Sequence, residues 1–221
     1  MKKKIVIIVI SSIVSLVLLA LAIPFSIFGI RSAVIKSDYS YLKSDSKYQQ
    51  KVEVVGVDLV TQHISCGYAT IEMMSSFYGN RVSEDDLDHK NNGGVSTSSS
   101  RGFLAEVNDS IPSKNFVMHS YLKNDELLKE IHDSLTNQNP VAIEWAAKYE
   151  GEWTLHFSLV TGLDIASDNV KVYNPYGYIE NITVDDFISR TTFDAYSNMP
   201  LFLNFGFAFG AFDKNTIFYA L

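Results

Sequence analysis

The pattern of apolar and polar positions changes abruptly at Ile5. Three lysines, Lys2, Lys3 and Lys4, give way there to a run without a charged residue through Ile30 (IVIIVISSIVSLVLLALAIPFSIFGI). About 20 apolar helical residues cross a hydrocarbon core about 30 Å thick, so this run is long enough to span a bilayer with some tilt. The lysines before it favour an N-terminus left in the cytoplasm. Residues 1–4 therefore read as a cytoplasmic tail and residues 5–30 as a signal anchor, with the rest of the chain outside a single-pass cell-membrane helix. Ala20 and Ala22 offer the rival of a cleaved signal peptide, which would make the protein secreted. The apolar run continues through Phe25, Ile27 and Phe28, which favours the anchor.

Beyond the run the pattern alternates between periods. Residues 31–50, rich in Ser, Lys, Asp and Tyr, read as a stalk or linker. Residues 51–60 (KVEVVGVDLV) are β-branched and predict a strand. Ser65 is a good N-cap and Gly79-Asn80 a stop signal; Ala69, Met73 and Phe77 share one face of the helix between them, which places Cys66 in its first turn. Short helices are expected after Ser83, with an acidic first turn, and after the Ser98-Ser99-Ser100 run. Asn124 is expected to cap a helix lined by Leu127, Leu128, Ile131 and Leu135. Strands are expected at residues 116–121, 141–145, 154–161, 169–173, 178–182, 201–207 and 216–220, with one further helix after Thr183. The late aromatics Phe202, Phe205, Phe207 and Phe209 alternate as in a strand and read as core. Helices first and strands later predict one α+β domain over residues 51–221.

Charge and cysteine content narrow the chemistry. The chain carries −7 at pH 7, and with the three leading lysines set aside the remainder carries −10. An acidic surface without a basic, aromatic-interleaved stripe excludes nucleic acid as a natural partner. Cys66 is the single cysteine, so no intramolecular disulfide forms. At a helix N-terminus a thiol is favoured as thiolate, and a nearby imidazole would activate it further. Of the five histidines, His132 reads as solvated, His89 as part of a polar loop, and His63 and His119 as unassigned. His156, at the mouth of the apolar strand HFSLVTGLD, is the natural position for a base. No G-x-S-x-G elbow, H-E-x-x-H or paired Cys/His spacing is present, and neither a metal nor another cofactor is called for. Glu84, Asp85, Asp86 and Asp88 read as a solvated helix start.

Taken in chain order, these pieces resemble family 39 of the cysteine peptidases, the bacteriocin-processing family, and its stand-alone relatives with a papain-like fold. The matching segments are Gln62 before Cys66-Gly67-Tyr68-Ala69, Phe77-Tyr78-Gly79, Asn139-Pro140-Val141-Ala142-Ile143, His156 through Asp164, Val172-Tyr173-Asn174-Pro175-Tyr176-Gly177, and Val184-Asp185-Asp186-Phe187. The resemblance implies an N-terminal helical part carrying the cysteine, a C-terminal antiparallel sheet, and a triad of Cys66 as nucleophile, His156 as base and Asn174 orienting the imidazole. It also implies an oxyanion donor at Gln62. Relatives have Asp where Asn174 stands, and Gln62 lies only four residues before Cys66, closer than in papain. The expected activity is hydrolysis of a peptide or protein outside the membrane. The alternatives are a catalytically silent peptide-binding module and an amidase or acyl transferase using the same triad.

Overall fold

The computed structural model describes residues 2–221, with side chains from Ile10 onward. The tail expected at residues 1–4 lies outside the described side chains. Helix α1 (Lys2–Val34) carries the apolar run. Its segment Ile10–Val34 has a mean hydropathy of 2.6 and none of that apolar window is buried in the protein. A helix so apolar and so unburied is long enough to cross a membrane.

The domain beyond it is α+β. In chain order it contains β1 (Val52–Glu53), α2 (Cys66–Phe77), α3 (Glu84–Lys90), α4 (Ser100–Ser110), β2 (Phe116–His119), α5 (Asn124–Thr136), β3 (Val141–Tyr149), β4 (Glu152–Asp164), β5 (Asn169–Asn174), β6 (Tyr178–Ile182), α6 (Val184–Thr191), α7 (Leu201–Ala208) and β7 (Thr216–Ala220). The strands form one antiparallel sheet in the order β2-β7-β3-β4-β5-β6, with β1 pairing the far end of β4. The long β3–β4 hairpin, in register from Val141↔Val160 to Tyr149↔Glu152, is its spine. Neighbours along a strand face opposite sides, so Trp145 meets Phe187 of α6 on one face while Phe157, on the other, stacks on Phe103 of α4 at 4.5 Å. The main core lies between the sheet and helices α2, α4, α5 and α6.

Local signals hold at several helix starts. Ser65 accepts the Tyr68 N–H at the head of α2, and Ser83 with Asp86 forms a reciprocal capping box on α3. Ser99 caps α4 and Thr183 caps α6. The cap of α5 is Lys123, one position earlier than expected; Asn124 is the first helical residue and donates to the Ser37 carbonyl.

Other expectations are corrected by packing. The strand expected over 201–207 is the helix α7, in which Leu203 and Phe207, one turn apart, point inward while Phe202 and Phe205 face out. Its partners are Phe25 and Phe28 of α1, which alternation along the strand-like pattern had no means to include. Residues 51–60 supply only the two-residue β1. His89 lies on α3. His132 is buried, not solvated, because Tyr48 packs edge-on against its ring at 5.0 Å. Tyr48 belongs to residues 31–50, read as stalk, where Ile35 and Leu42 are also buried against the domain.

Candidate active site

Cys66 is the first residue of α2 and is half-buried. Two features hold it there. Gly67 has no room for a side chain, since a Cβ would lie 2.2 Å from Thr97 Oγ1. The segment before it is pinned by Glu84, a fully buried carboxylate that accepts the N–H groups of His63, Ile64 and Ser65 at 3.1, 2.9 and 3.0 Å. Glu84 was read as part of a solvated helix start; folding instead brings α3 under the approach to the cysteine, where three otherwise orphaned donors need an acceptor. His63, beside it, is exposed and its ring faces Asp85 at 3.0 Å.

His156 sits within β4 opposite Trp145 and is 1 % exposed. Asn174 ends β5 and is fully buried. The two side chains meet, His156 Nε2 to Asn174 Oδ1, at 2.9 Å. The amide of Asn174 has one orientation only: its Nδ2 donates to Glu180 at 2.7 Å, and its Oδ1 also accepts the Tyr176 N–H at 2.9 Å. Because Oδ1 is an acceptor, the neutral imidazole carries its proton on Nε2 and leaves Nδ1 as the basic nitrogen. Glu180 is anchored in turn by Arg190, which also binds Asp186 and lies 5.1 Å over the Trp145 ring.

The turn that follows Asn174 lies against the imidazole, and the strand residue after His156 reaches the thiol. Tyr176 stacks on the His156 ring at 4.0 Å and is within electrostatic reach of Cys66. Its hydroxyl is tied to Thr154 at 2.8 Å. Gly177, at φ +93°, closes this turn against Thr61, a backbone shape that L side chains resist. The N–H of Phe157, next after His156, is directed at the thiol, as are those of Cys66 and Gly67.

Electrostatics differ from the expectation of a thiolate stabilised by the helix N-terminus. Burial pushes the Cys66 thiol up to about 11 despite those three N–H groups, and the nearby Glu144 carboxylate adds to the effect. Burial likewise pushes the His156 imidazole down to about 3, against the bond to Asn174. Desolvation of either charge outweighs the local dipoles. Glu144 itself is fully buried, hydrogen-bonded to Ser100 Oγ, and burial pushes its carboxyl up to about 8.

Gln62 lies beside the site without entering the His156–Asn174 pair. Its N–H donates to the Pro175 carbonyl at 2.7 Å, and its Oε1 is buried without a hydrogen-bond partner. With Thr61, Tyr149, Pro175 and Tyr176 it lines a cleft of about 340 Å³. A second, more apolar cleft of about 520 Å³ contains Cys66 itself, with Thr97, Trp153, Phe157, Phe202 and Leu203 among its walls. Another, of about 550 Å³ beside α5 and β7, is lined by none of these residues.

The sequence thus marked Cys66, His156, Asn174 and Gln62, and missed Glu84, Glu144, Tyr176 and the Glu180–Arg190 pair. Asn-Pro-Tyr-Gly signalled a turn around Tyr176; nothing local signalled the others.

Among curated proteins none matches this chain. Among solved structures it is similar to a double glycine motif protease from an AMS/PCAT transporter, crystallised with the leader peptide. The two are 12 % identical, with 76 % of this chain and 93 % of that one covered and a TM-score of 0.48. The sequence profile of the Peptidase_C39 like family matches residues 54–199, a span that includes Cys66, His156 and Asn174, and the chain belongs to that family.

Proposed function

We propose that this protein is a membrane-anchored cysteine peptidase acting outside the cytoplasm through Cys66, His156 and Asn174. The observation that carries the reading is the bond between His156 Nε2 and Asn174 Oδ1, made by an amide whose other end is held by Glu180. It leaves Nδ1 as the nitrogen able to take a proton from the thiol. With both groups neutral at rest, the proton moves during attack: Sγ bonds to the carbonyl carbon as Nδ1 accepts the thiol proton. The imidazolium then protonates the departing amine. Water, losing a proton to His156, resolves the thioester to the acid and restores the thiol. The Cys66 N–H at the head of α2, joined by the Gln62 side-chain amide, is the natural donor to the oxyanion, a contribution of about 3 kcal/mol for each such donor. The two clefts flanking the site suit an extended peptide, with apolar side chains on the Trp153 and Phe157 side.

The test is product analysis. Full-length protein in detergent, incubated with peptide libraries, is expected to release new N-termini that are absent with Cys66→Ala and strongly reduced with His156→Ala. Ligated or transferred products without hydrolysis would replace the peptidase reading by acyl transfer. Peptide binding that is retained without turnover in the wild type would make the domain a silent binding module.

A further inference from the structure

Eighteen consecutive residues, 195–212, carry no charge and include five phenylalanines. They enclose α7, whose outward face is largely exposed: Leu201 is 77 % exposed and Phe202 70 %, with Phe205 and Phe209 also exposed. Among the described residues no other phenylalanine is exposed. Apolar side chains concentrated in this way mark a contact surface. What covers it is indicated by its neighbour. Phe205 packs edge-on against Phe25 of α1 at 5.2 Å, and Phe207 stacks on Phe28 at 5.6 Å. The patch is therefore continuous with the exposed surface of the apolar helix, where Ile23, Ile27 and Ile30 face outward.

Depth can be read along α1. The uncharged run of residues 5–30 is about 39 Å long as a helix, about 9 Å more than a hydrocarbon core. The surplus is about six residues, and α7 packs on Phe25 and Phe28 within that last stretch. Just beyond it the exposed Arg31 lies over the Tyr121 ring at 5.1 Å and the exposed Lys36 pairs with Asp194 at 2.8 Å, so charge begins where the apolar run ends, as at a headgroup boundary. An apolar helix held at that level sits at the boundary between headgroups and acyl chains.

We propose that α7 is a second membrane contact, embedded in the outer interface of the bilayer crossed by α1, and that the cleft beside Cys66 consequently takes polypeptide held at the membrane surface. Phe202 and Leu203 of α7 are walls of that cleft, so the element in the lipid and the element facing substrate are the same. The inference rests on α1 as a span and on Cys66 as the reacting group, and each premise has its own control.

The full chain with Cys66→Ala, reconstituted in phosphatidylcholine–phosphatidylglycerol vesicles, would carry one nitroxide-labelled cysteine at a time. The sites are Leu201→Cys, Phe209→Cys, Leu16→Cys within α1, and Val55→Cys on the domain surface. Relaxation by oxygen against a water-soluble nickel chelate reports depth. Leu201 and Phe209 are expected in lipid, shallower than Leu16, with Val55 in water. Leu201 and Phe209 in water with Leu16 in lipid would overturn the proposal and leave the span intact; Leu16 in water would remove the span itself. Shielding of α7 from both reagents would mean that a protein, not lipid, covers it, and would also overturn the proposal. For the cleft, an iodoacetamide on a short phospholipid tether is expected to alkylate Cys66 of the wild type at least about tenfold faster than Cys66 of Leu201→Asp/Phe209→Asp, because the reagent and thiol share one surface. Untethered iodoacetamide should react equally with both. Equal rates with the tethered reagent would overturn the cleft's placement.

Discussion

Asn174 Oδ1 accepts two hydrogen bonds of 2.9 Å, and this single atom fixes which imidazole nitrogen is basic. Local pattern pointed to Cys66 at a helix start and His156 at the mouth of a strand, while Asn174 entered only through the family resemblance. Their protonation was not legible, since it depends on how much water each has lost. The thiol rises to about 11 and the imidazole falls to about 3, so between these values the resting pair is neutral. Alkylation of Cys66 by free iodoacetamide is accordingly expected to be slow at pH 7 and to climb with pH toward 11, without a plateau at pH 5 to 6. In Glu144→Gln, which removes a negative charge acting on the thiolate, the climb should begin at lower pH. A wild-type plateau in the acid range would show a preformed ion pair and remove the neutral resting state.

At the scale of elements, the helix starts were written locally, because Ser65, Ser83, Ser99 and Thr183 each cap with their own side chains. What each helix packs against was not. Glu84 shows the difference: its place at the head of α3 follows from Ser83, but its three bonds to the approach of Cys66 exist only once α2 and α3 are side by side. Glu84→Ala leaves those N–H groups without their acceptor, a loss of about 3 kcal/mol. In a domain of this size that lowers the melting temperature by about 6–12 °C, measurable by thermal unfolding of the full chain. Cys66 alkylation should lose its burial-imposed pH dependence in parallel. A change under about 2 °C would show that water serves the three N–H groups equally well. The helix α7 makes the same point for the late phenylalanines, whose spacing fits a strand until Leu203 and Phe207 are seen sharing a helical face toward the domain.

For the whole molecule, the segment joining α1 to the domain is part of the folded unit. Ile35, Leu42 and Tyr48 are buried, Ile35 supplies a carbonyl to the Asn124 N–H at 2.9 Å, and Tyr41 and Ser37 both bond Asp125. Burial of a large apolar side chain contributes about 1.5–3 kcal/mol, and a domain's whole stability is about 5–15 kcal/mol. A chain beginning at Lys51 should therefore lose most of its stability relative to one beginning at Arg31, compared by urea unfolding in detergent. Equal midpoints would restore residues 31–50 to the role of a free linker.

The sequence by itself determined the apolar run and the caps at Ser65, Ser83, Ser99 and Thr183, because each depends on neighbours within a few positions, and the order of helices and strands gave the α+β class. Only the tertiary structure decided that His156 meets Asn174, that Glu84 and Glu144 lose all contact with water, and that α7 lies on α1. These outcomes join residues 18 to about 180 positions apart. Burial and desolvation belong to the assembled surfaces, so no local pattern carries them.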